Sequence, residues 1–174
     1  MINKRGETIA SAITNLDIHD IARASKTFGA KGFFIVTPVK DQQYIAKRII
    51  SHWTHGAGGE YNPNRQDALQ LIYVVDTLDD ILLHIQNNEG QMPKTVSTCA
   101  GGHSRCISYD KVQSLIQQGL PYLFLFGTAW GMSHEIIDKS DYILEPIKGK
   151  TDYNHLSVRS AVSITLDRLL GLRS

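Results

Sequence analysis

The chain has 174 residues, 42% of them apolar and 20% charged, with a net charge of +1. That length fits one globular domain with a proper core, and the near-neutral charge excludes a general basic coat while leaving a local basic patch open. No apolar run approaches the roughly 20 residues of a membrane helix, and the start MINKRGETIA has no apolar core behind its basic residues, so the expected address is the cytoplasm.

Taken in chain order, strand-length apolar runs alternate with helical patterns. Ile18, Ile21, Ala22, Ser25 and Phe28 recur at helical spacing, and Gly29 supplies a stop. Before this helix, 7–14 reads as a short strand or a loop. GFFIVT, residues 32–37, reads as a buried strand ended by Pro38. A helix is expected over 41–53, with Tyr44, Ile45, Ile49 and Trp53 on one face, followed by a glycine-rich loop over 56–63. LIYVV, residues 71–75, is the second strand. Leu78, Ile81, Leu82 and Ile85 mark a helix capped by Thr77. KTVSTC, residues 94–99, is the third strand, and 109–118 is a helix with Gly119 past its end. Residues 121–126 and 142–144 are the fourth and fifth strands. The last helix spans 157–170, with Val158, Ala161, Val162, Thr165, Leu166 and Leu169 on its face. This alternation predicts an α/β fold: a mostly parallel sheet with helices on both faces. No repeat or linker interrupts it, so residues 1–174 read as one domain.

The chemistry concentrates late in the chain. The fourth strand ends in Gly127-Thr128-Ala129-Trp130-Gly131, and the fifth in Glu145-Pro146-Ile147-Lys148-Gly149-Lys150. Open α/β sheets bind small ligands outside the carboxyl ends of their strands, where glycine lets the backbone approach closely. There is no GxxxxGK[ST] loop, no G-x-G-x-x-G after a first strand and no G-x-S-x-G elbow, which argues against standard nucleoside-triphosphate, dinucleotide or serine-hydrolase chemistry. Cys99 and Cys106 are the only cysteines. A structural zinc wants four ligands, so they read as two reduced thiols. His52 and His55 lack carboxylate or cysteine support, and no metal is expected.

Three ordered stretches carry a resemblance. They are Thr14 to Ala30 (TNLDIHDIARASKTFGA), Leu125 to Ser133 (LFGTAWGMS) and Ile147 to Ala161 (IKGKTDYNHLSVRSA). Together they resemble the SPOUT class of S-adenosylmethionine-dependent RNA methyltransferases. The match is closest to a small branch found alone or fused to a bacterial tRNA guanine methyltransferase. The resemblance implies a C-terminal trefoil knot, S-adenosylmethionine as cofactor, and tRNA or rRNA as substrate. It also implies a homodimer formed through the final helix and the Trp130 loop. The class opens with a strand before the first motif. None is visible in MINKRGE, so either residues precede Met1 or the strand order differs.

The same resemblance implies the site residues. Thr98, Ala100 and Gly101, then Phe126, Gly127, Trp130 and Gly131, then Ile147, Gly149 and Leu156 would hold the cofactor. Arg23 matches the first-motif arginine that holds RNA phosphate or polarises the nucleophile. Asp17 would orient Arg23 or accept a proton, and Asn154 and His155 sit where polar contacts approach the methyl group. Each has a plainer reading as well. Arg23 is a surface arginine, Asp17 the cap of the first helix, His155 a structural histidine, and Trp130 a core or interface anchor. His19 and Asp20 read as local hydrogen-bonding groups, and Lys148, Lys150 and Arg159 as a phosphate patch or a solvated face. Ribose-methylating relatives carry Glu in the second motif where Ala129 stands here, which favours a base over a ribose acceptor. The alternatives are a cofactor- or RNA-binding module without turnover and a flavodoxin-like enzyme with another small cofactor.

Overall fold

The computed structural model describes residues 1–172. The chain forms two compact units, a smaller one over Ala12–Ile81 and a larger one made of Met1–Ser11 and Leu82–Ser174. In both, strands are parallel and helices cover them, the expected α/β pattern.

In the smaller unit α1 spans Asn15–Thr27 and buries Ile18, Ile21, Ala22 and Ser25, the expected stripe. Its N-cap is Thr14, whose Oγ1 accepts from the Asp17 N–H at 3.1 Å. Asp17 therefore lies inside the first turn and is not the cap, because the shorter threonine already meets the free N–H. Gly29 takes φ +72 just past the helix end, the left-handed turn that favours glycine. β1 (Phe33–Val36) pairs in parallel with a later strand over 72–75.

Two expectations fail in this unit. Helix α2 (Lys40–Thr54) is present, but its buried residues are Gln43 and Ala46, with Ile49, Ile50 and Trp53 packed on the core. Tyr44 and Ile45 are 61% and 45% exposed. Gln43 sets this rotation. Its amide donates to the Thr37 carbonyl at 2.7 Å and to the Asp76 carboxylate, tying the helix start to the strand ends. Residues 56–63 are not a loop. They carry α3 (Ala57–Tyr61) and the start of α4 (Pro63–Leu69), which Asn62 caps by accepting from the Arg65 N–H at 3.0 Å. Proline at the first helical position suits this start, since its missing N–H would be unpaired anyway. β2 (Ile72–Val75) completes the two-stranded sheet. Ile18, Ala22, Ile35, Ala46, Ala68, Leu69 and Ile72 form the core.

Helix α5 (Leu78–Glu89) runs into the larger unit. Thr77 and Asp80 cap it reciprocally, with Asp80 N–H to Thr77 Oγ1 at 3.2 Å and Thr77 N–H to the Asp80 carboxylate at 2.9 Å. There follow β3 (Lys94–Thr98), the short β4 (Cys106–Ile107), α6 (Tyr109–Ile116), β5 (Tyr122–Leu125), α7 (His134–Lys139), β6 (Tyr142–Leu144) and α8 (Val158–Leu170). The sheet order is β4-β6-β3-β5, all parallel. β4 and α7 were not expected from the sequence; a two-residue strand leaves no periodic signal. Because β6 lies between β3 and β4, the link 99–105 crosses from one side of β6 to the other. The core is Val96, Tyr109, Val112, Leu144 and Leu169, and α8 packs on α6. Residues 7–14 form no strand beyond an isolated antiparallel bridge between Ile2 and Thr8. Among the described residues no helix is long and apolar enough to cross a membrane.

Candidate functional site

Parallel strands β3, β5 and β6 end side by side at Thr98, Leu125 and Leu144, and the loops that follow carry the implied cofactor residues. Two side-chain bonds tie these ends together. Thr98 Oγ1 donates to the Leu125 carbonyl at 2.9 Å, joining the third strand to the second-motif loop. Asn154 Nδ2 donates to the Ala100 carbonyl at 2.7 Å, joining the third motif to the link after β3. Thr98, Ala100, Phe126, Gly127 and Asn154 are thus brought together within one unit.

The loop 126–131 is a tight, crowded turn. A Cβ on Gly127 would lie 2.8 Å from the Met132 nitrogen and 2.9 Å from the Gly131 carbonyl carbon. Only a residue without a side chain allows that backbone approach. Gly131 takes φ +99 and donates to the Thr128 carbonyl at 2.9 Å. Ala129 holds φ +52, the one non-glycine left-handed residue among those described. Sequence reasoning missed what pins this loop. Ile2 N–H donates to the Gly131 carbonyl at 3.1 Å, and Trp130 N–H donates to the Ile2 carbonyl at 3.3 Å. The Thr128 N–H lies 3.4 Å from the Met1 sulfur. Nothing in the MINKRGE stretch signals a partner so distant in sequence.

The third loop keeps its backbone available. Ile147, Gly149 and Leu156 make no hydrogen bond among the described residues. At Gly101 and Gly149 a side chain would project into open space. Free N–H and C=O groups beside glycine are what an adenine and an amino-acid tail need from a pocket wall, so these residues fit S-adenosylmethionine. Trp130, Tyr153 and Leu156 are exposed, as is His155, whose ring meets Tyr153 edge-on at 5.4 Å between centroids. Cys99 Sγ donates to the Gly101 carbonyl at 2.8 Å. Burial, then the neighbouring Cys106, push the Cys99 thiol above its ordinary range, so it stays protonated. Lys148 and Lys150 are exposed beside the third loop.

Arg23 and Asp17 lie on α1, in the smaller unit. Arg23 is exposed and makes no ion pair among the described residues. Thr14 Oγ1 donates to the Asp17 carboxylate at 2.5 Å. Six residues apart, Asp17 and Arg23 are not neighbours on one helix face. His19 differs from its local hydrogen-bonding reading. Its Nδ1 is sealed from solvent without a partner, and its ring meets Trp53 edge-on.

Comparison with known proteins places this geometry. A family model described as SAM-dependent RNA methyltransferase matches residues 1–171. A tRNA (guanine-N(1)-)-methyltransferase of Oleidesulfovibrio alaskensis is 40% identical over 171 residues, which are 98% of this chain and 40% of that protein. The chain therefore spans well under half the length of that relative. A protein of Aquifex aeolicus is 37% identical over 98% of this chain and 83% of its own length. Among solved structures, the SpoU methyltransferase AviRb of Streptomyces viridochromogenes, in complex with AdoMet, superposes with a TM-score of 0.55. That match has 18% identity and covers 95% of this chain and 62% of the other, so the likeness is one of fold. The parallel sheet, the second- and third-motif loops at its strand ends and the match along almost the whole length agree, and the chain belongs to the SAM-dependent RNA methyltransferase family, with a SPOUT-class fold.

Proposed function

We propose that the chain transfers a methyl group from S-adenosylmethionine to a base of tRNA, with a guanine nitrogen as the leading acceptor. One observation carries the reading: the loops after β3, β5 and β6 converge in one unit, joined by the Thr98–Leu125 and Asn154–Ala100 bonds. The guanine acceptor is supported by the relative at 40% identity, and the base over the ribose by Ala129 in the second motif.

When bound, S-adenosylmethionine supplies a methyl group on a sulfonium that departs as a neutral thioether. The chain's own residues then have two tasks, alignment and the handling of one proton. Backbone groups of Ile147, Gly149 and Leu156, with Thr98, Ala100, Gly101, Phe126 and Gly127, hold the cofactor, and Trp130 and Gly131 close the turn. Arg23 holds an RNA phosphate. Asn154 and His155 contact the acceptor side, and Asp17 takes the acceptor proton.

In this reading residues 1–174 act as one cytoplasmic domain. The segment 145–157 threads past the link 99–105 to give the trefoil knot, consistent with β6 lying between β3 and β4. The exposed Trp130 and the final helix, with Leu170 at 37% exposure, form the homodimer contact.

The test is transfer of labelled methyl from S-adenosylmethionine to bulk tRNA, with rRNA alongside. Parent protein labels tRNA, and Arg23→Ala loses about tenfold or more of the transfer. S-adenosylhomocysteine binding without transfer to any RNA would contradict an enzyme and assign a binding module.

A further inference from the structure

Three helices of the smaller unit, α1, α2 and α4, pack on one another and bring His19, Trp53 and Arg65 together. The Arg65 guanidinium lies over the Trp53 ring, 4.4 Å from its centroid. His19 meets the same ring edge-on at 5.4 Å. Trp53 is itself held in place: a Cβ on Gly58 would come within 2.8 Å of Trp53 Cε3, and one on Gly59 within 2.5 Å of the Trp53 carbonyl oxygen.

This cluster is polar and unsatisfied. Arg65 Nε and His19 Nδ1 are the buried side-chain nitrogens without a hydrogen-bond partner among the described residues. No carboxylate lies within ion-pair distance of Arg65 or Arg23 among those residues. Buried polar atoms in folded proteins almost always have partners, and an Arg65 with neither a hydrogen bond at Nε nor a carboxylate at its fork among the described residues is not accounted for by the packing of this unit. Arg23 is one helical turn from His19 on α1, so the two share a face. Burial holds the His19 imidazole below its ordinary pKa; Arg65 lowers it further, Asp20 opposes, and Arg23 adds to the lowering. Both guanidiniums therefore act on one imidazole, with no protein anion among the described residues paired to either.

We propose that Arg65, stacked on Trp53, is a second contact for a backbone phosphate of the RNA acceptor, on the same face as Arg23. The inference rests on the RNA-methyltransferase reading above. A planar fork fixed by an aromatic face loses little freedom on gripping a phosphate, which suits arginine and not lysine. Trp53 acts as the positioning residue, holding the Arg65 fork against its ring.

The test is tRNA binding by the full chain over about 50 to 200 mM salt, since each phosphate contact adds close to one unit to the salt slope. The variants are Arg65→Gln, Arg65→Met (which keeps an apolar stem against Trp53), Arg65→Lys, and Lys111→Gln on the exposed side of α6 as a generic loss of charge. Arg65→Gln and Arg65→Met weaken binding about tenfold and lower the salt slope by about one. Arg65→Lys keeps the slope but binds more weakly than the parent, Lys111→Gln behaves as the parent, and S-adenosylhomocysteine affinity is unchanged throughout. Parental tRNA affinity and slope in both neutral variants, or losses no larger than those of Lys111→Gln, overturn the assignment of Arg65 alone. A parent protein that binds S-adenosylhomocysteine but no tRNA overturns it together with the RNA reading.

Discussion

Replacing Gly127 with alanine tests whether the second-motif turn is a rigid part of the cofactor site. The new methyl would stand 2.8 Å from the Met132 nitrogen, 2.9 Å from the Gly131 carbonyl carbon and 3.0 Å from the Gly131 Cα. That is roughly half an ångström or more inside ordinary contact. All three atoms are backbone, so no side-chain rotation relieves the clash, and the turn itself must open. Overpacking of this kind costs about 1–3 kcal/mol. If the cost falls on the binding-competent turn, affinity for S-adenosylhomocysteine drops about 5- to 150-fold. Any part that falls on folding lowers the melting temperature by about 2–4 °C per kcal/mol. Calorimetric titration with S-adenosylhomocysteine alongside a thermal melt separates the two. Gly101→Ala is the control, because its methyl projects into open space, and its melting temperature stays at the parental value. Parental affinity in Gly127→Ala would refute the argument that this turn shapes the pocket.

Other expectations follow from particular contacts. Asn154→Ala removes the bond to the Ala100 carbonyl, costs about 0.5–1.5 kcal/mol, and slows methyl transfer more than it lowers the melting temperature; an unchanged rate would separate Asn154 from the site. His19 is held below its ordinary value of 6.5, first by burial, so the unfolded chain takes up its proton before the folded one does. Its contribution is fully present above pH 6.5 and is lost as pH falls below that value. His19→Phe keeps the edge contact to Trp53 and flattens the drop in urea midpoint between about pH 7.5 and pH 5.5; an unchanged drop would contradict this. Burial alone would raise the Asp141 carboxyl. Bonds from Lys94 at 2.8 Å and from the Thr95 N–H and hydroxyl at 2.9 and 2.8 Å outweigh it and hold it low. Its stabilisation is present above about pH 4 and is lost as pH falls through the depressed value. Asp141→Ala costs about 1–2 kcal/mol at neutral pH, read from the denaturant midpoint, and steeper acid unfolding in the variant would contradict the assignment.

Much of the fold was legible because its signals are local. Thr14, Thr77, Ser108 and Ser157 sit at helix starts, and Gly29 and Gly119 end helices with positive φ. The buried stripes of α1 and α8 follow the apolar period of their sequences. What was hidden depended on partners elsewhere in the chain. Tyr44 and Ile45 are apolar yet exposed, because Gln43 is drawn inward by the Thr37 carbonyl and the Asp76 carboxylate. The glycines of 56–63 read as a loop, yet Gly58 and Gly59 are there because Trp53 leaves no room for a side chain. At the candidate site, the glycine turn after the β5 strand was legible as a turn from its motif. The clamp by Met1 and Ile2 on the Trp130 turn was not, nor was the stacking of Arg65 on Trp53, since both depend on partners distant in sequence.

Hydrogen exchange of the full chain with and without S-adenosylhomocysteine addresses the pocket most directly. Slowed exchange in 99–101, 126–131 and 147–156 on ligand addition is the expected result. Binding with protection confined to Ala12–Ile81, or no binding at all, would contradict a cofactor site built from the loops after β3, β5 and β6.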